Sequence, residues 1–351
     1  MSEVAARKQA HLDLCAHGDV ESRGSTLLEE VHLLHEALPE LSAAEVDTGI
    51  SLFGRRLAAP IYISGMTGGT DRAGAINRAL ATAAQKAGFG FGLGSQRAMW
   101  TDPAVAATYR VRDEAPDVAL LGNVGVVQAR AFGPAAVAEL VDAVGADALC
   151  VHLNTAQELV QDEGDRDFRG GLDTIATLVD TLRVPVIVKE TGCGFAPATL
   201  ARLSAVGVQW VDASGAGGTT WTGVEALRGS PRQRALGALL REWGVPTAAS
   251  VVYARRAGLS TLASGGIRDA LDVVRALALG ARAAGMALPF LRAYDRGGEK
   301  AVAALCEELA EGIRALLLLS GAAHPERLAD APRALGPRLR AWLEVAGGTP
   351  G

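Results

Sequence analysis

His152, Asn154, Gln157 and Glu158 fall within one short polar run, His152-Leu153-Asn154-Thr155-Ala156-Gln157-Glu158. If the run begins as a strand, His152 and Asn154 point the same way, and Gln157 and Glu158 open the following turn or helix. Taken alone, this is an ordinary helix cap with an acidic first turn. At the end of a buried strand it becomes a binding surface, and a carboxylate beside a diphosphate is a setting for Mg2+. Lys189 closes the apolar run Val184–Lys189, where a lysine has little packing value. It suits an anionic ring or a phosphate, with a Schiff base as the competing role. Asp212, late in the run Val208–Ala213, is a candidate to orient Lys189, because a buried carboxylate needs partners. Arg7 and Lys8, with His11 one turn later, form a small basic cluster that alone reads as a solvated helix face. Arg97 is the better anion candidate. Cys193 has no evident base beside it and reads as incidental.

These residues need a scaffold that brings them together. From Pro60 onward, apolar runs alternate with amphipathic stretches. The runs are Ile61–Ser64, Phe89–Leu93, Val118–Gly122, Ala146–Val151, Val184–Lys189, Val208–Ala213, Leu259–Ala263 and Ala281–Ala287. They are short and bounded by Gly, Pro or polar residues, as parallel strands buried on both faces are. The stretches Gly74–Ala87, Pro134–Val144, Gly171–Leu182, Ala198–Val206 and Asp269–Leu279 carry a helical period. The first segments start at 60, 89, 118 and 147, a constant spacing of 29 residues that suits one strand–helix unit. Eight such units predict an α/β fold, a closed (β/α)8 TIM barrel, rather than a doubly wound open sheet. Residues 1–59 form an N-terminal helical extension, with helical patterns around Val4–His17 and Ala43–Val46, and residues 60–346 form the barrel. Residues 216–246 read as a long connection rich in Gly, Arg and Trp. Residues 290–346 read as helical and include the eighth barrel helix.

Six of the expected strands run into glycine-rich turns, among them Gly65-Met66-Thr67-Gly68-Gly69, Gly122-Asn123-Val124-Gly125 and Ser264-Gly265-Gly266-Ile267-Arg268. One such turn is only a turn. Six at equivalent strand ends predict a large flat ligand approached by backbone, with a phosphate held after the seventh and eighth strands. Composition restricts the rest. The chain of 351 residues is 49% hydrophobic and carries a net charge of −5, so neither nucleic acid nor an anionic membrane is a favoured partner. Four cysteines without a CxxC pair argue against a zinc site and a disulfide framework. The N-terminus lacks the apolar core of a signal peptide, and the apolar run Ala315–Leu319 is too short to span a bilayer. The expectation is a cytoplasmic protein acting on a small molecule.

The ordered set of motifs resembles the type 2 isopentenyl-diphosphate delta-isomerase family, which is FMN-dependent. The resemblance runs through Arg7-Lys8 with His11, Met66-Thr67-Gly68-Gly69, Gly94-Ser95, Asn123, His152-x-Asn154-x-x-Gln157-Glu158, Val188-Lys189-Glu190, Gly215-Ala216-Gly217-Gly218-Thr219 and Ser264-Gly265-Gly266. Ala213 and Thr191 depart from the family pattern. The resemblance implies FMN held by Met66, Thr67, Gly68, Ser95, Asn123, Lys189, Ser214, Thr219, Gly265, Gly266, Ala287 and Leu288. It implies substrate contacts from Arg7, Lys8, Ser95, Gln96, Arg97, His152, Asn154 and Gln157, catalytic roles for Gln157, Lys189 and His152, and Mg2+ at Glu158. It further implies isomerisation of isopentenyl to dimethylallyl diphosphate with flavin reduced by NADPH, no net redox change, and a homo-oligomer, tetramer or octamer. The alternative enzyme is an FMN-dependent oxidoreductase of the hydroxy-acid oxidase kind. It would need a histidine base near the sixth and seventh strands, yet no histidine occurs between Asn154 and His324. A non-catalytic flavin-binding homologue is the third reading, against which the intact Gln157-Glu158 and Arg7-Lys8 pairs argue.

Overall fold

The computed structural model describes residues 3–345; residue 346, the expected end of the barrel, lies outside them. Eight parallel strands close into a barrel in chain order: β1 (Ile61–Ile63), β2 (Gly90–Gly92), β3 (Leu120–Gly125), β4 (Ala148–Leu153), β5 (Val186–Glu190), β6 (Trp210–Asp212), β7 (Ser260–Ala263) and β8 (Ala283–Met286), with β8 pairing back onto β1. The (β/α)8 barrel read from the apolar runs is the fold of this chain. Short strands made of Val, Ile, Leu, Ala and Gly suit it, because each is covered by helices outside and by side chains inside. Tyr62, Leu121, Ala148, Cys150, Ile187, Leu262 and Ala283 fill the lower interior together with Ile50, Leu52 and Leu57 of the hairpin Ile50–Leu52/Arg55–Leu57. That hairpin plugs the N-terminal mouth and leaves the C-terminal mouth open for a site.

Four elements differ from the sequence reading. The third strand begins later and runs on through Asn123, Val124 and Gly125, which were expected to form a turn. Five consecutive residues, Leu121–Gly125, pair with Ala148–His152, and this ladder overrides the turn preference of Gly-Asn. Residues 216–246 are not an open connection but contain two helices. We number helices α1 (Glu3–His17), α2 (Asp71–Ala87), α3 (Trp221–Arg228), α4 (Pro231–Leu240) and α5 (Leu288–Leu319). The sequence signal for α4 was present: Ser230 and Gln233 form a reciprocal capping box with Pro231 at the first helical position. Finally, the region after 290 is not wholly helical. The helix α5 breaks at Gly297-Gly298, and Arg333–Leu335 is a strand that pairs antiparallel with Val31–Leu33 of the N-terminal extension. Ala43–Glu45 forms a 3-10 turn capped by Ser42 rather than an α-helix.

The four cysteines are free. No helix among the described residues is long and apolar enough to cross a membrane.

Candidate active site

Strand register sets the centre of the site. Across β3, β4, β5 and β6 the ladder aligns Gly125 with His152, His152 with Lys189, and Lys189 with Asp212, so these side chains form one layer. Lys189 Nζ lies 2.7 Å from Asp212 Oδ2 and donates to Ser264 Oγ at 3.0 Å. Asp212, with no exposed surface, also accepts from Tyr62 Oη at 2.5 Å and from Ser264 Oγ at 2.5 Å. The carboxylate is thus satisfied by three donors, as a buried charge must be. An ammonium paired this closely is suited to holding an anion, not to acting as a free amine for a Schiff base. Burial and the coulombic effect of Asp212 push the Tyr62 phenol far above its ordinary range, so it remains a donor.

His152 sits beside this pair. Burial first, and the Lys189 charge second, hold its imidazole down to about 4, so it is neutral near pH 7. Its Nδ1 lies 2.8 Å from Asn123 Oδ1. An amide oxygen only accepts, so Nδ1 carries the proton and Nε2 is left as an acceptor. Asn154, which precedes the short helix Thr155–Val160 without capping it through its side chain, donates to Glu158 Oε1 at 2.7 Å, and Asp165 N–H donates to Glu158 Oε2 at 2.8 Å.

Gln157 is oriented by a residue the sequence reading did not select. Its Nε2 donates to Glu225 Oε1 at 2.9 Å, and Gln161 Nε2 donates to the same oxygen at 2.7 Å. Glu225 lies on α3, nearly fully buried, and also meets His11 Nε2 at 2.8 Å and Arg228 Nη1 at 2.8 Å. Burial alone would raise its pKa, but His11, the Gln157 amide and Arg228 outweigh burial and hold it down to about 2. Reading 216–246 as a loop hid this carboxylate. Its helical period was the signal that could have found it.

The helix α1 closes the far side. Lys8 Nζ donates to Gly68 O at 2.6 Å and to Tyr109 Oη at 2.6 Å, and Tyr109 Oη donates to Ser95 O at 2.9 Å. Burial, followed by the neighbouring Arg7 and Arg97 charges, outweighs these acceptors and lowers Lys8 to about 7. The basic cluster therefore faces inward instead of being a solvated helix face.

Arg7, Lys8, His152, Asn154, Gln157, Glu158 and Lys189 line a cavity of about 260 Å3 at the C-terminal ends of the strands, with Tyr62, Asp212 and Glu225 outside its lining. All the residues assigned from the sequence to flavin, substrate, catalysis or Mg2+ line it except Gly68 and Gln96. The Gln96 side chain is wholly buried elsewhere: Nε2 donates to Leu140 O at 2.8 Å and Oε1 accepts from Asn123 N–H at 2.9 Å. It pins β3, not a substrate. Gly68 offers its carbonyl to Lys8, and a Cβ there would run into the Tyr109 ring, which explains the glycine without a ligand. Two more glycines have a packing reason of their own. A Cβ at Gly94 would strike the Thr67 backbone, and one at Gly218 the Gly266 nitrogen. Their small size lets these two loops pack closely against their neighbours.

Comparison with known proteins now bears on this arrangement. The profile of the FMN-dependent dehydrogenase family matches residues 151–333. An isopentenyl-diphosphate delta-isomerase of Methanopyrus kandleri is 43% identical over 346 residues, covering 97% of this chain and 94% of that protein. One of Halobacterium salinarum is 43% identical over 350 residues, with 98% and 97% covered. One of Synechococcus sp. is 48% identical over 316 residues, with 88% and 90% covered. The chain belongs to the isopentenyl-diphosphate delta-isomerase family. Among solved structures, mandelate oxidase with (S)-2-phenylpropionate shares the fold with a TM-score of 0.64 at 20% identity, covering 95% of this chain and 98% of that one. That likeness concerns the barrel alone.

The family's flavin fits the cavity on one independent observation. Ser64 Oγ and Thr67 Oγ1, both buried in its wall, have no hydrogen-bond partner within the protein. Buried hydroxyls are rarely left so, and a polar ligand is a natural complement. Gly265 and Gly266 after β7, with Ala287 and Leu288 at the start of α5, form the neighbouring rim, where backbone N–H groups suit a phosphate.

Proposed function

We propose that this chain interconverts isopentenyl and dimethylallyl diphosphate, using reduced FMN as the acid–base group with no net redox change. The observation that carries the reading is the meeting, in one cavity, of the inward-facing Arg7-Lys8 of α1, the Gln157-Glu158 pair, and Lys189 beside the flavin-type phosphate rim. Reduced FMN, when bound, supplies a proton at its ring edge and an electron-rich face for a tertiary cationic carbon. The remaining work belongs to the protein. Lys189, fixed by Asp212, offers positive charge to an anionic ring. Glu225 holds Gln157 so that its amide lines the proton path, since an amide is itself a poor acid. Asn123 fixes the tautomer of His152, whose neutral Nε2 is left to accept a hydrogen bond. Arg7, Lys8, Arg97 and Ser95 offer donors to the diphosphate, with Mg2+ at Glu158 completing its neutralisation; a lone carboxylate plus phosphate oxygens is a usual magnesium setting. NADPH is the proposed reductant of the flavin. Residues 1–59 contribute to this site through α1. A cytoplasmic homo-oligomer, tetramer or octamer, is the proposed form, and the exposed Leu239 and Trp243 after α3 offer apolar surface for assembly.

The assay is anaerobic, with isopentenyl diphosphate, FMN, NADPH and Mg2+. Appearance of dimethylallyl diphosphate is expected. A flavin-loaded protein that forms none, or whose flavin is reduced by a 2-hydroxy acid without NADPH, would overturn the reading in favour of the oxidase alternative.

Lys8 adds a pH prediction. Its pKa is about 7 in the fold against 10.5 as the ordinary value, so between these limits the unfolded chain binds the extra proton and fold stability rises with pH. A diphosphate placed beside Lys8 reverses the preference and recharges it. Substrate binding above pH ~7 is expected to take up close to one proton, and KM to rise with pH there. Calorimetry in buffers of different ionisation heat measures the uptake, which Lys8→Met should abolish.

A further inference from the structure

Beyond α1 the chain crosses the outer side of the loops that follow β6 and β7. Ser22 N–H donates to Gly218 O at 2.7 Å, Thr220 N–H donates to Val20 O at 2.8 Å, and Ala248 N–H donates to Thr26 O at 3.0 Å. Glu21 lies in the middle of this strap, bridged to Thr219. One of its carboxylate oxygens accepts from Arg268 Nε at 2.9 Å, with Nη2 at ion-pair distance (2.6 Å) but not hydrogen-bonded, and the other accepts from Arg292 Nη1 at 2.8 Å. Arg268 directly follows Gly265-Gly266-Ile267, one half of the phosphate rim. Arg292 lies one turn into α5, whose first residues are the other half, and it also reaches the carbonyls of Cys15 and Gly18 at the end of α1. A single carboxylate therefore joins the two halves of the rim to the strap, and no step of the chemistry above uses it. Burial opposes its ionisation, but Arg268 and Arg292 prevail and keep the carboxylate charged.

We propose that Glu21 is a positioning residue for the cofactor phosphate: it holds the loop after β7 and the start of α5 at the spacing the phosphate requires, so that flavin leaves only when the strap loosens. The proposal rests on the FMN reading. The three side chains are 37%, 33% and 30% exposed, so the pairs add little to global stability. Their effect lies in preorganisation, which shows in affinity instead.

The test uses full-length protein stripped of flavin and titrated with FMN and, separately, with riboflavin, which lacks the phosphate. Glu21→Gln keeps the shape and removes the charge. It is expected to weaken FMN binding about tenfold, through faster release, while riboflavin affinity and the apo unfolding midpoint stay unchanged. Arg292→Met should show the same phosphate-selective loss, and Glu21→Asp, one methylene shorter, an intermediate one. A purely structural role would weaken both flavins equally, and a carboxylate that merely competes with phosphate for Arg268 would make Glu21→Gln bind FMN more tightly; either result overturns the proposal, as does an unchanged affinity. Wild-type protein that takes up neither flavin would instead remove the cofactor reading beneath it.

Discussion

Lys189→Met is expected to lower kcat/KM by roughly 10²–10³-fold and to destabilise the fold by about 3–5 kcal/mol. The two losses have different origins. Activity falls because the only cation in the layer formed by His152, Lys189 and Asp212 is removed from the cavity wall. Stability falls because Asp212, with no exposed surface, keeps only the hydroxyls of Tyr62 and Ser264 as donors. The double variant Lys189→Met/Asp212→Asn separates them. An amide at position 212 no longer carries a buried charge, so most of the stability should return in urea unfolding, while kcat/KM with reduced flavin should not. If the double variant recovered activity, Lys189 would be no more than a counter-ion to Asp212, and its assignment to the anionic ring would be wrong.

That pair was legible in the sequence because Lys189 ends one apolar run and Asp212 lies late in another, where a charge is conspicuous. The register joining them followed from the barrel, since neighbouring strands put equivalent ends side by side. Other parts were not legible, for physical reasons. Gln96 and Arg97 are adjacent polar residues after the same strand, yet one is swallowed by the barrel wall to satisfy Leu140 O and Asn123 N–H, and the other lines the cavity. A one-residue rotation at the start of the short helix Arg97–Thr101 decides this, and no periodicity reports it. Glycines reveal that space is needed but not which neighbour needs it; at Gly94 and Gly218 the neighbour is another loop. Arg7 and Lys8 would look solvated on any isolated helix. Only the docking of α1 against the barrel mouth, with Gly68 O and Tyr109 waiting for the ammonium, turns them inward.

Glu225 is the largest omission, and it carries the second large effect. Glu225→Ala is expected to cost the fold about 3–5 kcal/mol, because Arg228 and His11 lose the buried carboxylate they share. It should also lower kcat by about 10²-fold, because Gln157 and Gln161 lose a common acceptor and the Gln157 amide is no longer fixed in the cavity wall. Glu225→Gln retains an acceptor for Gln157, so its kcat should lie between those of Glu225→Ala and the wild type. The pH dependence distinguishes charge from shape. A carboxyl held at about 2 in the fold, against 4.5 ordinarily, contributes stability that is complete above 4.5 and is lost as pH falls toward 2. Wild-type protein should therefore lose stability across that acid window. Glu225→Gln, with nothing to protonate there, should begin less stable at neutral pH and lose less on acidification. Urea unfolding of both proteins at several pH values in the window measures the difference. Parallel acid limbs would mean that the charge of the carboxylate is not what ties His11, Arg228 and Gln157 together, and the orientation of Gln157 would then have to come from Asn154, whose Nδ2 donates to Gln157 Oε1 at 3.4 Å.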